Sequence, residues 1–266
     1  MAKARAGIIT VEGKIGDHII SRKGRYKSYI RKVVEPGTKR NEPALKQQHS
    51  RTGFLNSFAS DINTIIKENS DGLKSSQFYE KLQSRFRKEP ENNRLLLLQT
   101  LKGMEINPSY PFEKHGMPNI YCTTDKARLR VHIGVKRHPV SLNKHLTDYY
   151  YEVLAATWVK KEGPGDCERQ YSEWVQIKSP VPEFDFFFDK AAGAIHWMVC
   201  VRIRLGRDEV AEESFKADGM QVVDSGSFDK REQEWLLARN QTKQKPVGGR
   251  AKLPVKIVRV KASNKN

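Results

Sequence analysis

The sequence predicts an α+β protein: a β-hairpin, a short helical bundle, an antiparallel β-sandwich and a basic tail, in that order. Three observations carry this. Glycine-punctuated β-branched runs fill residues 7–35, and apolar residues recur every three or four positions over 44–103. From about residue 119 the apolar period drops to two. The sandwich is expected to be immunoglobulin-like or similar. The boundaries read from these shifts are 1–43 for a basic hairpin arm, 44–105 for helices, 119–240 for the sandwich and 241–266 for the tail.

The hairpin arm comes first. Gly7–Glu12 reads as a strand, Gly13 interrupts, and Ile15–Ser21 and Tyr26–Glu35 read as two arms around Arg22-Lys23-Gly24-Arg25. Gly24 suits the positive φ of a tight turn. On the second arm, Lys27, Tyr29 and Arg31 alternate away from Tyr26 and Ile30. Pro36-Gly37 ends the arm and Pro43 closes the loop.

The helices follow. Leu55, Phe58, Ile62, Ile65 and Ile66 make one stripe at helical spacing. Ser75 or Ser76 is placed to cap a second helix with Phe78, Leu82 and Phe86 inward. After Pro90, Glu91 suits the start of a third helix that packs Leu95–Leu98 and Leu101 and stops at Gly103.

The strands of the sandwich are expected at Ala127–Val135, Tyr149–Val159, Tyr171–Ile177, Phe184–Phe188, His196–Leu205, Gly219–Val223 and Ser227–Phe228. In the clearest of them Trp197, Val199, Val201, Ile203 and Leu205 should face in, with Arg202 and Arg204 facing out. Residues 230–240 read as a short helix. In the tail, Val255–Lys261 has the propensity for a last strand.

Residues 13–54 resemble a motif of small uncharacterised bacterial proteins. It runs from a Gly-Lys-x-Gly strand through a tip glycine and an aromatic-x-Arg arm to a proline loop and a helix opening with Gln and Arg before Phe. Gly13, Lys14, Gly16, Gly24, Tyr29, Arg31, Pro43, Gln48, Arg51 and Phe54 match it. Asn41-Glu42-Pro43-Ala44-Leu45 departs from the Thr-Pro-x-x-Gln common in that loop. The resemblance covers about a sixth of the chain. It implies a hairpin-plus-helix unit and transfers no activity.

Charge is the functional signal. The chain holds 48 basic and 31 acidic residues, a net +17, and the excess lies at its ends. Residues 1–53 contain 13 basic and 4 acidic residues, and residues 238–266 contain 9 basic and none acidic. A near-neutral body between two cationic segments points to a polyanion, DNA or RNA first. The candidate nucleic-acid contacts are Arg22, Lys23, Arg25, Lys27, Tyr29 and Arg31 of the arm. In the tail they are Lys243, Lys245, Arg250, Lys252, Lys256, Arg259 and Lys261. The competing reading is a structural module that self-assembles or docks protein partners through edge strands.

Other chemistry finds no foothold. Cys122, Cys167 and Cys200 are too widely spaced for a zinc pattern, and the 36 residues from Cys122 to Trp158 do not suit an immunoglobulin disulfide. The seven histidines show no ligand spacing, and His196 and Cys200 on one strand would stand ~13 Å apart, too far for a nucleophile and its base. No metal, cofactor or enzymatic site is expected. The longest aliphatic run, Leu95–Leu98, is far short of the ~20 residues of a membrane span. No apolar signal core follows the N-terminus, so a cytoplasmic location is expected. Arg128, Arg130, His132, Arg202 and Arg204 would share one cationic face if their strands were neighbours. A solvated face with acids opposite is the favoured reading.

Overall fold

The structure, a computed structural model, describes residues 3–5, 10–15, 18–23, 27–32, 43–73, 75–112, 118–140, 145–159 and 163–244. The chain divides into two compact units, Met1–Phe54 and Leu55–Asn266. It is an α+β protein whose strand pairs are all antiparallel.

The first unit holds four strands in the order β1 (Lys3–Arg5), β2 (Thr10–Ile15), β3 (His18–Lys23) and β4 (Lys27–Lys32). This corrects the expected strand boundaries. β2 runs through Gly13 to Ile15, because only Gly16 and Asp17 separate it from β3, and that pair is itself a two-residue hairpin signal. Helix α1 (Pro43–Asn69) follows, and its buried stripe opens at Leu55.

In the second unit α1 continues and is joined by α2 (Phe78–Lys88) and α3 (Arg94–Gln99). Phe58, Ile62, Ile66, Phe78, Leu82, Phe86 and Leu95–Leu98 are all buried, as the apolar spacing requires. The caps differ from expectation. α2 starts from Gln77, whose N–H donates to Ser75 Oγ at 3.3 Å, so serine acts on the turn before the helix. α3 is capped by Asn93, not Glu91: its Oδ1 accepts from Leu95 N at 2.8 Å and Leu96 N at 3.4 Å. Gly103 leaves α3's end with φ +74°, where a side chain would be strained.

The strands follow in chain order as β5 (Met104–Glu105), β6 (Asn119–Thr124), β7 (Arg128–Gly134), β8 (Asp148–Val159), β9 (Gly163–Tyr171), β10 (Val175–Gln176), β11 (Glu183–Asp189), β12 (Ala194–Arg207), β13 (Val210–Ala211) and β14 (Asp218–Ser227). Helix α4 (Lys230–Gln244) ends the described chain, four residues beyond its expected end. One sheet runs β10-β8-β12-β14-β5, with β9 also on β8 and β13 on β12. The other runs β11-β7-β6.

The two sheets face each other across one core. Tyr149, Tyr151, Val153 and Ala155 of β8 and Trp197, Val199, Val201, Ile203 and Leu205 of β12 meet Leu129, Val131, Ile133, Phe186 and Phe188 there. Alternation predicts this inward set, because every second residue of a strand shares a face. Several expectations change. The strand expected at Tyr171–Ile177 shrinks to β10, with Tyr171 closing β9. β9 occupies Gly163–Tyr171, a stretch outside the expected strands, and Pro164 is tolerated because β9 is an edge strand. β14 is one continuous strand, not two pieces. β6, with Ile120 and Cys122 turned partly toward the core, went unread.

The largest correction concerns the far face of the large sheet. Arg202 and Arg204 do point away from the sandwich core, yet Arg202 is only 1% exposed. The helices cover that face. Phe58 meets Trp158 edge-on with ring centroids 5.7 Å apart, and the Gln99 side chain bonds to Ser225. Period-2 patterning distinguishes two faces of a strand but not which of them faces water.

Candidate polyanion-binding face

Within the N-terminal sheet, backbone register decides which residues share a face. β3 and β4 pair Ile19 with Arg31, Ser21 with Tyr29 and Lys23 with Lys27. β2 adds Lys14 opposite Ile19. Paired residues in an antiparallel ladder lie on the same side. Lys14, Lys23, Lys27, Arg31 and Tyr29 therefore occupy one face, and by the register of β1 with β2 so do Lys3, Arg5 and Glu12. The opposite face holds Ile15, Ile20 and Ile30, with His18 paired to Lys32 and Arg22 to Ser28.

This sorts the sequence-derived candidates. Lys23, Lys27, Tyr29 and Arg31 come together, Arg22 falls on the other face, and Lys14 joins although it was absent from the candidate set. The sequence signal for Lys14 was the Gly-Asp pair at 16–17, a two-residue hairpin signal between two strand-like runs. Lys243 lies in the last turn of α4. Arg25, Lys245, Arg250, Lys252, Lys256, Arg259 and Lys261, and the strand expected at Val255–Lys261, lie outside the described residues.

The other cation cluster separates into two environments. Arg128, Arg130 and His132 line the outer face of β7, with carboxylates of β11 opposite them. Arg128 Nε lies 2.9 Å from Asp189, and Arg130 binds Asp185 through Nε at 2.9 Å and Nη2 at 3.0 Å. His132 Nδ1 is 3.1 Å from the same Asp185. That is the solvated, acid-paired face. Arg202 and Arg204 belong to the other sheet and the helix-covered side.

There Arg202 is the hub of a buried ion network. Its Nε and Nη2 donate to the two oxygens of Asp218 at 2.8 and 2.6 Å, a bidentate pair. Its Nη1 donates to Asp71 at 2.7 Å and to Glu152 at 3.2 Å. Arg169 Nη1 stands 3.4 Å from Glu152, and Arg204 Nη1 donates to Tyr150 Oη at 3.2 Å. Three guanidinium groups thus offset three carboxylates. Burial pulls Arg202 toward neutrality, but the hydrogen bonds and charge of Asp218 outweigh it and hold the guanidinium above its usual range. Burial raises Glu152 despite Arg202 beside it. The arrangement fastens the turn after α1 to the sheet, and its charges are already engaged with one another.

A Ser–His–carboxylate set also exists, with the wrong connectivity for nucleophilic catalysis. His196 Nε2 lies 2.9 Å from Glu232 Oε2, and Ser227 Oγ donates to that same oxygen at 2.7 Å. The carboxylate, not the imidazole, accepts from the serine, so His196 is not placed to take the hydroxyl proton as the histidine of a catalytic triad does. The set anchors α4 to β12 and β14. A cleft of about 610 Å³ holds Asp148, Asp208 and Glu209, but no group of three or more His, Cys, Asp or Glu side chains among the described residues is arranged to hold a metal ion.

The cysteines are free thiols: Cys200 is buried, Cys122 and Cys167 half-buried. Burial pushes all three thiols up, Cys167 to about 11. Thiol titration is expected to count three groups in denaturant and to find Cys200 silent in the native state. A denatured count of one would contradict this.

No family model matches the chain, and no curated protein matches it. A solved structure with some similarity is β-glucosidase 3B from Thermotoga neapolitana in complex with glucose, at 13% identity and a TM-score of 0.21. The match covers 46% of this chain and 18% of that one, and a likeness this slight carries no inference about fold or activity. Among the described residues, no helix is long and apolar enough to cross a membrane.

Proposed function

We propose that this chain is a non-enzymatic, cytoplasmic protein that binds nucleic acid through one face of its N-terminal sheet and through its basic tail. The observation that carries the reading is the register that groups Lys14, Lys23, Lys27, Arg31 and Tyr29 on one side. Among the described residues, six cations and a single acid, Glu12, on the face that holds Tyr29 suit a phosphate backbone, with Lys14, Lys23, Lys27 and Arg31 nearest the aromatic residue in the register. Cations on phosphate carry no base information, so binding is sequence-tolerant. The tail adds cations without any acid to offset them. The body, read as an immunoglobulin-like sandwich, is the scaffold.

Protein purified at low salt should carry nucleic acid, seen as a raised 260/280 nm ratio that a high-salt wash returns to the protein value. A low-salt preparation already at the protein value, and unable to take up added duplex, would overturn the reading.

A further inference from the structure

β6 is an edge strand unlike the others. In the sheet β11-β7-β6 it is outermost, and among the described residues Asn119–Thr124 make backbone ladder bonds only to β7. Exposed edges are normally blunted by charge or proline, since a bare one templates pairing with another chain. The other long edges follow that practice. β11 carries Glu183, Asp185 and Asp189, and Gln170 Nε2 donates to its Phe187 carbonyl at 2.7 Å. β9 carries Pro164, Asp166, Glu168 and Arg169. In the N-terminal sheet β1 has Lys3 and Arg5, and β4 has Lys27, Arg31 and Lys32. β6 reads Asn-Ile-Tyr-Cys-Thr-Thr: no charge, no proline, and rich in strand-forming residues.

Among the described residues, the core beneath this edge is incompletely covered. Ile120 and Cys122 of β6 and Val223 of β14 are only half-buried, and Phe112, Ile120 and Val223 line an open groove of about 500 Å³. Tyr121, on the opposite side of the strand, is 59% exposed.

We infer that β6 pairs antiparallel with β6 of a second copy, joining two three-stranded sheets into one of six. Opposed residues must share a face, so a two-fold pairing centres on a single residue. Centred on Tyr121, Ile120 lies opposite Cys122 of the second copy on the core side. Tyr121 lies opposite its own equivalent and Asn119 opposite Thr123 on the solvent side. No like charges meet in this pairing, because β6 carries none. The strand itself thus sets no charge against its equivalent, and the cations beside it, Lys102 and Lys136 in the groove, lie off the strand.

The test uses the full chain freed of nucleic acid by high salt, in size exclusion with light scattering. The expected mass is twice the 30.5 kDa of one chain, concentration-dependent. Tyr121→Lys puts two ammonium groups opposite each other and should raise the dimer dissociation constant at least tenfold, with an unchanged urea midpoint at concentrations where both proteins are monomeric. Should that variant unfold, Tyr121→Cys decides: Cβ atoms ~5 Å apart across the pair are within disulfide reach, so oxidation should yield a covalent dimer. Val140→Cys, 55% exposed and off the strand, should not. A monomer at the highest soluble concentration would overturn the inference. So would a dimer unaffected by Tyr121→Lys or untrapped by Tyr121→Cys.

Discussion

Replacing Arg202 by leucine is expected to cost about 3 kcal/mol or more, and to lower the melting temperature of the body by roughly 10 °C. The side chain is 1% exposed, and its removal leaves Glu152 at 1% and Asp218 at 5% without their main cation. Arg169 and Arg204 remain nearby, which keeps the loss toward the lower end of the range for a broken buried pair. The pH dependence identifies the cause. Burial already raises Glu152 in the folded state, and losing Arg202 raises it further. A folded value above the unfolded one favours folding only below the unfolded value and is lost as pH rises through the folded one. Asp71 acts in the same sense. Its hydrogen bond to Arg202 lowers it, so it stabilises the wild type above its unfolded value and the benefit fades in acid; its exposure makes that share small. The variant's deficit should thus be full near neutrality and narrow toward about pH 4, the unfolded Glu range. Urea unfolding at both pH values measures it. Arg128→Leu, which breaks an exposed pair with Asp189, should change stability by less than about 0.5 kcal/mol. A pH-independent deficit for Arg202→Leu would assign the loss to packing instead.

Changing Lys14, Lys23, Lys27 and Arg31 together to glutamine should flatten the salt dependence of duplex binding by up to about four units on a log–log plot. Near physiological salt this corresponds to at least a hundredfold weaker binding if all four contacts are made. Arg22 and Lys32 lie on the opposite face by the same register, so Arg22→Gln with Lys32→Gln should leave the slope nearly intact. The two variants separate a sided face from diffuse attraction. Equal flattening per charge removed would mean the sheet acts only through its net charge. Discrimination among duplex sequences should stay unchanged in both, since phosphate contacts carry no base information.

Much of the architecture was legible because its signals are local. The stripe from Leu55 to Ile66 and the alternation from Trp197 to Leu205 each fix an element and its buried side from a dozen residues. What sequence periodicity misses is what lies on top. Arg202 looks like a solvent-facing residue in its own strand, and its partners Asp71, Glu152 and Asp218 come from a turn and two strands that its own sequence does not announce. β9 hid behind Gly163-Pro164-Gly165 because proline argues against a central strand but not against an edge. Asn93 escaped as a cap because Pro90-Glu91 offered a nearer helix start. Among the candidate contacts, Lys27, Tyr29 and Arg31 could be grouped from alternation alone. Lys23 and Arg22 could not, because their sides depend on the register of β3 with β4, nor could Lys14, whose side depends on the register of β2 with β3.

The central claim is that the basic face holds phosphate, and one titration tests it most directly. Full-length protein, free of nucleic acid, is titrated against a labelled mixed-sequence duplex at several salt concentrations. The logarithm of the binding constant is then plotted against that of the salt. Four contacts on the sheet face predict a slope of about −3.6, at roughly −0.9 per phosphate, and steeper still with the tail engaged. Absence of binding at low salt, or a slope near zero, would contradict the account.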